Sequence, residues 1–210
     1  MTDVRFQIVD VVPERHAAVP TLLFGLQVEE RSGAAVDIAL RCQIRIEPQR
    51  RRYSPVEEQR LLELFGETPR WGDTLKPFLW TNVSALLPQF QGSLQTTLPV
   101  PCSYDFDVAA AKYFHALEDG EIPLVFLFSG TIFAQGETRL QVAQIPWNAD
   151  ATFRLPVRAW RALMDLYFPN GGWLRLRRES LDGLMRFKAT RAIPTWDAVV
   201  DTLLKEAGTP

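Results

Sequence analysis

The chain carries two histidines, His16 and His115, and two cysteines, Cys42 and Cys102. These residue types hold zinc, or pair as nucleophile and base. Their spacing favours neither. Zinc sites are usually seeded by close pairs such as C-x-x-C or H-x-x-x-H, and no pair here has that separation. The glycines of "NGGW" and "FSGT" are isolated, and no G-x-S-x-G elbow, Walker loop or dinucleotide fingerprint occurs. Carboxylates adjoin at Glu29/Glu30, Glu57/Glu58 and Glu118/Asp119. Neighbours i and i+1 on a helix do not face each other, so each pair reads as solvated surface rather than as an acid and a base. No catalytic residue, metal or cofactor is assigned.

The remaining candidates bind rather than react. Arg50, Arg51 and Arg52 form an unbroken run, with Arg41 and Arg45 upstream. Guanidinium forks pair with carboxylates or phosphates. Glu47, Glu57, Glu58 and Glu63 lie close by in sequence. Two readings therefore stand: a contact for an acidic partner, or a surface whose charge is cancelled within the chain by weak ion pairs. Arg175, Arg177 and Arg178 are flanked by Glu179 and Asp182 and pose the same choice. Neither cluster is interleaved with aromatics for base stacking. The net charge of -2 also argues against a nucleic-acid binder, which would usually be basic. Trp71, Phe78 and Trp80 fall in Glu67 to Ser84, a stretch with two prolines, one glycine and no clear period. It reads as a long connection, whose aromatics either anchor an interface or pack beneath their own loop. The candidate partner contact is thus Arg50, Arg51, Arg52, Trp71, Phe78 and Trp80.

The elements that must position these residues are mostly strands. Val4, Phe6 and Ile8 alternate with Arg5 and Gln7, and Leu22, Phe24, Leu26 and Val28 share a face. The clearest strand places Ile38, Leu40, Cys42, Ile44 and Ile46 inward, and Arg41, Gln43 and Arg45 outward. Such alternation predicts antiparallel strands with one buried face. It makes Cys42 a buried, reduced thiol. Ser54, Pro55 and Glu57 spell a capping box that opens a helix carrying Leu61, Leu62, Leu64 and Phe65, closed by Gly66, with its glutamates facing solvent or the arginines. Leu94, Leu98, Val100 and Cys102 share a further strand face.

Asp107 to Leu117 is rich in helix formers, with Asp105 or Asp107 as cap and a strand as the alternative. His115 falls there, where a surface or satisfied core histidine is the simpler role. Pro123 to Ala134 is apolar on both faces and predicts a central strand; Arg139 to Ile145 and Ala151 to Val157 predict two more. From Val157 the period turns helical through Trp160, Leu163, Met164 and Tyr167. Trp173, Leu174 and Leu176 read as a short extended piece, Ser180 as the cap of a next helix, and Thr195 as the cap of the last.

With 47% apolar residues a sizeable core can form, and 23% charged residues argue against disorder. Asp3, Arg5, Asp10, Glu14 and Arg15 interrupt the first twenty residues, so no secretory h-region is visible. The run Ile122 to Phe128 is too short to cross a bilayer. The expectation is a cytoplasmic protein without membrane insertion.

Four stretches carry a resemblance: "LRCQIRIEPQRRRYS", "LFGETPRWGDTLKPFLWTNVS", "LPVPCSYDFDVAAAKYFHALEDGEIPLVFLFSGTIF" and "PTWDAVVDTLL". Together the chain resembles a family of uncharacterised bacterial proteins encoded beside nickel–iron hydrogenases and their maturation genes. The resemblance implies a cytoplasmic role in hydrogenase maturation, assembly or electron transfer, with hydrogenase subunits or maturation factors as partners. It brings no catalytic residues.

The expected fold is α+β and mainly β: an antiparallel, immunoglobulin-like β-sandwich over residues 1–156, a helical insertion near 54–66, and a helical C-terminal region over 157–210 packed on the sandwich. The first functional reading is a non-catalytic accessory or assembly protein. The second is a small-ligand-binding module or enzyme with a pocket between sandwich and C-terminal helices.

Overall fold

The computed structural model describes residues 3–103, 105, 108–135, 140–169, 171 and 174–208. Among these residues eight strands form two antiparallel sheets. Strands β1 (Val4–Pro13), β2 (Thr21–Glu30) and β5 (Ser93–Pro101) make a three-stranded sheet in the order β1-β2-β5. The second sheet contains β3 (Val36–Ile46), β4 (Phe78–Phe90), β6 (Glu121–Gln135), β7 (Leu140–Gln144) and β8 (Asp150–Pro156). Its order is β4-β3-β6, with β7 and β8 pairing successive halves of β6.

The alternation seen in the sequence is what closes the two sheets on each other. Ile38, Leu40, Cys42, Ile44 and Ile46 of β3 are all buried, as are Leu22, Phe24, Leu26 and Val28 of β2. Between the layers Phe6 stacks on Phe128 at 4.4 Å, and Phe24 meets Phe126 edge-on at 5.2 Å. Aromatic pairs in these geometries add to the area they bury. β6 is apolar along most of its length and lies in the middle of its sheet, as expected. Gly130 sits on β6 at φ 138°, and a Cβ there would lie 2.0 Å from the Ala39 carbonyl oxygen on β3. Only glycine allows the two strands to pair at that point.

Residues 67–84 correct the sequence reading. The long connection is instead a 3₁₀ turn (Thr68–Arg70), a one-turn helix α3 (Trp71–Thr74) and then the 13-residue strand β4. Two features hide β4. A register shift opposite Ile44 and Arg45 breaks its period, and its pattern is blurred, with Thr81 and Ala85 beside Val83 and Leu87 on the side that faces the buried residues of β3, while Leu79 and Leu86 are exposed.

The insertion follows β3. It holds α1 (Pro55–Arg60) and α2 (Leu62–Phe65), with Leu61 and Phe65 buried and Gly66 at φ 72° ending the turn. Helix α4 (Ala109–Ala116) agrees with the helix expected within 107–117, and buries Ala110, Ala111, Tyr113, Phe114 and Ala116. Its N-cap is Val108 rather than an aspartate side chain; Asp107 lies outside the described residues. Helix α5 (Val157–Tyr167) buries Val157, Trp160, Leu163 and Met164, the face its spacing predicted, and packs on β1, β2 and β8.

The chain divides into two compact units, residues 1–172 and 173–210. The second is a helix pair, α6 (Arg178–Thr190) and α7 (Trp196–Glu206). Thr195 caps α7 by accepting from the Ala198 N–H at 3.1 Å, as expected. Helix α6 begins two residues before Ser180, with Arg177 at the N-cap and no side-chain cap, because Arg178 and Glu179 continue the helix backward. Trp173 and Arg139, each placed in an extended piece from sequence, lie outside the described residues. Among the described residues no helix is long and apolar enough to cross a membrane.

Candidate functional site

The three consecutive arginines leave β3 through a 3₁₀ turn, Pro48–Arg50, and then run extended into α1. Consecutive residues of an extended segment point to opposite sides. The run therefore divides. Arg51 turns inward, its side chain 8% exposed, and Arg52 stays exposed.

The inward side is a built polar network. Arg51 Nη2 donates to Glu57 Oε1 at 2.8 Å and to the Asp119 carbonyl at 3.3 Å, and its Nε donates to the Arg52 carbonyl. Glu57 is buried, where the sequence reading gave solvent or the arginines; the arginine holds it. Glu57 also accepts from the Ser54 and Glu118 N–H groups, while Ser54 Oγ accepts from the Glu57 N–H, so the capping box is complete and tied to the end of α4. The Arg51 guanidinium lies 4.9 Å from the Tyr53 ring centroid. The Tyr53 hydroxyl is bonded to the Pro48 carbonyl at 2.7 Å and to the Tyr113 hydroxyl at 2.8 Å. Burial pushes the Tyr53 phenol up to about 12 and that of Tyr113 further in the same direction.

Trp71 and Phe78 continue this network as packing. Trp71 meets Tyr53 edge-on at 5.2 Å and donates its Nε1–H to the Gly66 carbonyl. Phe78 packs on Phe65 and Tyr113, and Trp80 on Phe24 and Phe114. All three candidate aromatics are half-buried.

The outward side is a wide, open groove of about 700 Å³, lined by Gln49, Arg50, Arg51, Arg52, Gly120, Glu121 and Arg154. Arg50 is held by Glu47, whose Oε2 lies 2.6 Å from its Nε. Arg154 lies 3.8 Å from Glu121, and both are more than half exposed. Arg52 pairs with no carboxylate among the described residues. Arg41 and Arg45, upstream of the run on β3, are not among the residues that line the groove. Arg154 takes that place because β8 pairs with the first half of β6. The sequence signal for it is its alternating position in "ATFRLPV".

A second, more enclosed pocket of about 130 Å³ is lined by Trp80, Cys102, Val108, Phe114 and Trp160 among others. The Nε1 of Trp160 is buried with no acceptor among the described residues. Cys42 and Cys102 are free and buried, and burial raises both thiols to about 12, so neither is a thiolate at neutral pH. His115 stacks edge-on against Trp160 at 4.6 Å. Burial, then the neighbouring Arg161 charge, lower it to about 4. Among the described residues no three His, Cys, Asp or Glu side chains gather as a metal cluster.

No curated protein matches the chain in sequence. Among solved structures it is similar to the CARDB domain of the PF1109 protein in complex with di-metal ions, from Pyrococcus furiosus, at 12% identity and TM-score 0.29 over 74% of this chain and 92% of that one. It is also similar to β-glucosidase 3B from Thermotoga neapolitana in complex with α-D-glucose, at 13% identity and TM-score 0.27, covering 73% of this chain and 17% of that one. A family model described as a family of unknown function, DUF6084, matches residues 1–210, and the chain belongs to that family.

Proposed function

We propose that this is a non-catalytic accessory or assembly protein of the cytoplasm, which docks on a protein partner through the groove of Arg50, Arg52 and Arg154. The observation that carries this reading is the divided arginine run. Arg51 is committed to folding, while Arg52 lines an open groove with no carboxylate partner among the described residues. Trp71 and Phe78 pack on Tyr53, Phe65 and Tyr113, and Tyr53 in turn lies against Arg51, which lines the groove. The partners are hydrogenase subunits or maturation factors, a proposal that rests on the sequence resemblance alone. Affinity purification from a native cell, with hydrogenase subunits scored in the eluate, tests it. Recovery with the wild-type chain and loss with Arg52→Glu/Arg154→Glu is expected. Absence of those subunits, in cells that express the hydrogenase, refutes the hydrogenase partner.

The second reading is a small-ligand-binding module or enzyme that uses the pocket of Trp80, Phe114 and Trp160 between the sandwich and helices α4 and α5. The unpartnered Trp160 N–H favours it, since a buried donor normally finds an acceptor. A small apolar ligand with one carbonyl, such as cyclohexanone, would then quench or shift tryptophan emission saturably. A linear, unsaturable response would remove this reading.

A further inference from the structure

We infer that the groove selects a carboxylate-bearing, acidic segment of the partner protein; this rests on the docking reading above. Three guanidiniums face the opening, and each keeps donors to spare. Arg50 meets Glu47 through its Nε, which leaves its terminal nitrogens for a ligand. Arg154 has a carboxylate only at 3.8 Å, in water. Arg52 is exposed and has none among the described residues. Each fork can take a carboxylate in two parallel hydrogen bonds.

The same lining argues against other anions. No aromatic lines it to stack a base, which argues against single-stranded nucleic acid. The groove is too open and too large to enclose a free phosphate, and the Arg51 nitrogen without a partner is itself buried and out of reach. Carboxylates spaced along a peptide match separate arginines set around an open floor. Arg51 is matched by Glu57, and that tie fixes the floor on which the other arginines stand.

The test is fluorescence anisotropy of a fluorescein-labelled hexaglutamate peptide with the full chain at low ionic strength. Saturable binding is expected, with little for hexaglutamine. Arg52→Glu/Arg154→Glu should weaken it about tenfold or more, as reversal of facing charges does. Arg31→Glu should not, because Arg31 pairs with Glu29 and does not line the groove. Arg52→Gln, at an exposed side chain, gives a milder variant whose fold is secure. The proposal is overturned by no binding of hexaglutamate, by equal binding of hexaglutamine, or by unchanged affinity in the charge-reversed chain. Tighter capture of a single-stranded oligonucleotide of equal charge through the same arginines would overturn it too. In Arg52→Glu/Arg154→Glu, loss of hexaglutamate binding with undiminished recovery of hydrogenase subunits would remove the groove as the docking site, and the proposal with it. Hexaglutamate binding without any such recovery would leave the acidic preference and remove the partner assignment.

Discussion

Arg51 and Arg52 are neighbours in sequence and opposites in the fold. One lies beneath the insertion against Glu57, and the other lies on the rim of an open groove. The difference shows what a charged run means. A guanidinium removed from water must be matched by a carboxylate and by carbonyls, and here it binds β3, α1 and α4 together. A guanidinium left in water costs little and stabilises little, so its presence asks for another explanation. The insertion around Arg51 is architecture, and the groove around Arg52 is the surface proposed to serve a partner.

The largest effect should come from the buried half. Glu57→Ala strands the Arg51 charge and breaks the capping box, and is expected to cost about 3–5 kcal/mol, read as a lower urea midpoint. A smaller loss of about 1 kcal/mol is expected for Ser54→Ala, which removes only the cap and is read the same way. His115 adds a pH term. Its folded pKa of about 4 lies below the ordinary 6.5, so the unfolded chain binds the extra proton between those values. Stability should therefore fall as pH drops from about 6.5 towards 4, and His115→Phe should flatten part of that slope in a Tm series. Smallest of all, Arg50→Ala and Arg52→Ala should shift stability by no more than about 0.5 kcal/mol while weakening acidic-peptide binding.

Much of this fold is legible in the sequence, for physical reasons. β3 alternates cleanly because one face meets the opposite sheet and the other meets water. The capping box and Gly66 mark α1 and α2 because helix ends need those residue types. β4 is not legible, since its bulge breaks the period and two of its exposed positions, Leu79 and Leu86, carry leucine. The site is legible only in part. The arginine run is obvious, but which member turns inward depends on Glu57 and the end of α4, some sixty residues further on. Arg154 reaches the groove only through strand pairing, which local pattern does not encode. Trp71, Phe78 and Trp80 look like interface anchors in one dimension, and in three they mostly pack on Tyr53, Phe65 and Phe114.

The sharpest measurement sets the two neighbours side by side: urea unfolding of Arg51→Ala against Arg52→Ala in the full chain. Arg51→Ala, which leaves the Glu57 carboxylate buried and alone, should lose about 3 kcal/mol or more, while Arg52→Ala stays at the wild-type midpoint. Equal midpoints for the two variants would contradict the division of the run into a structural and a free arginine.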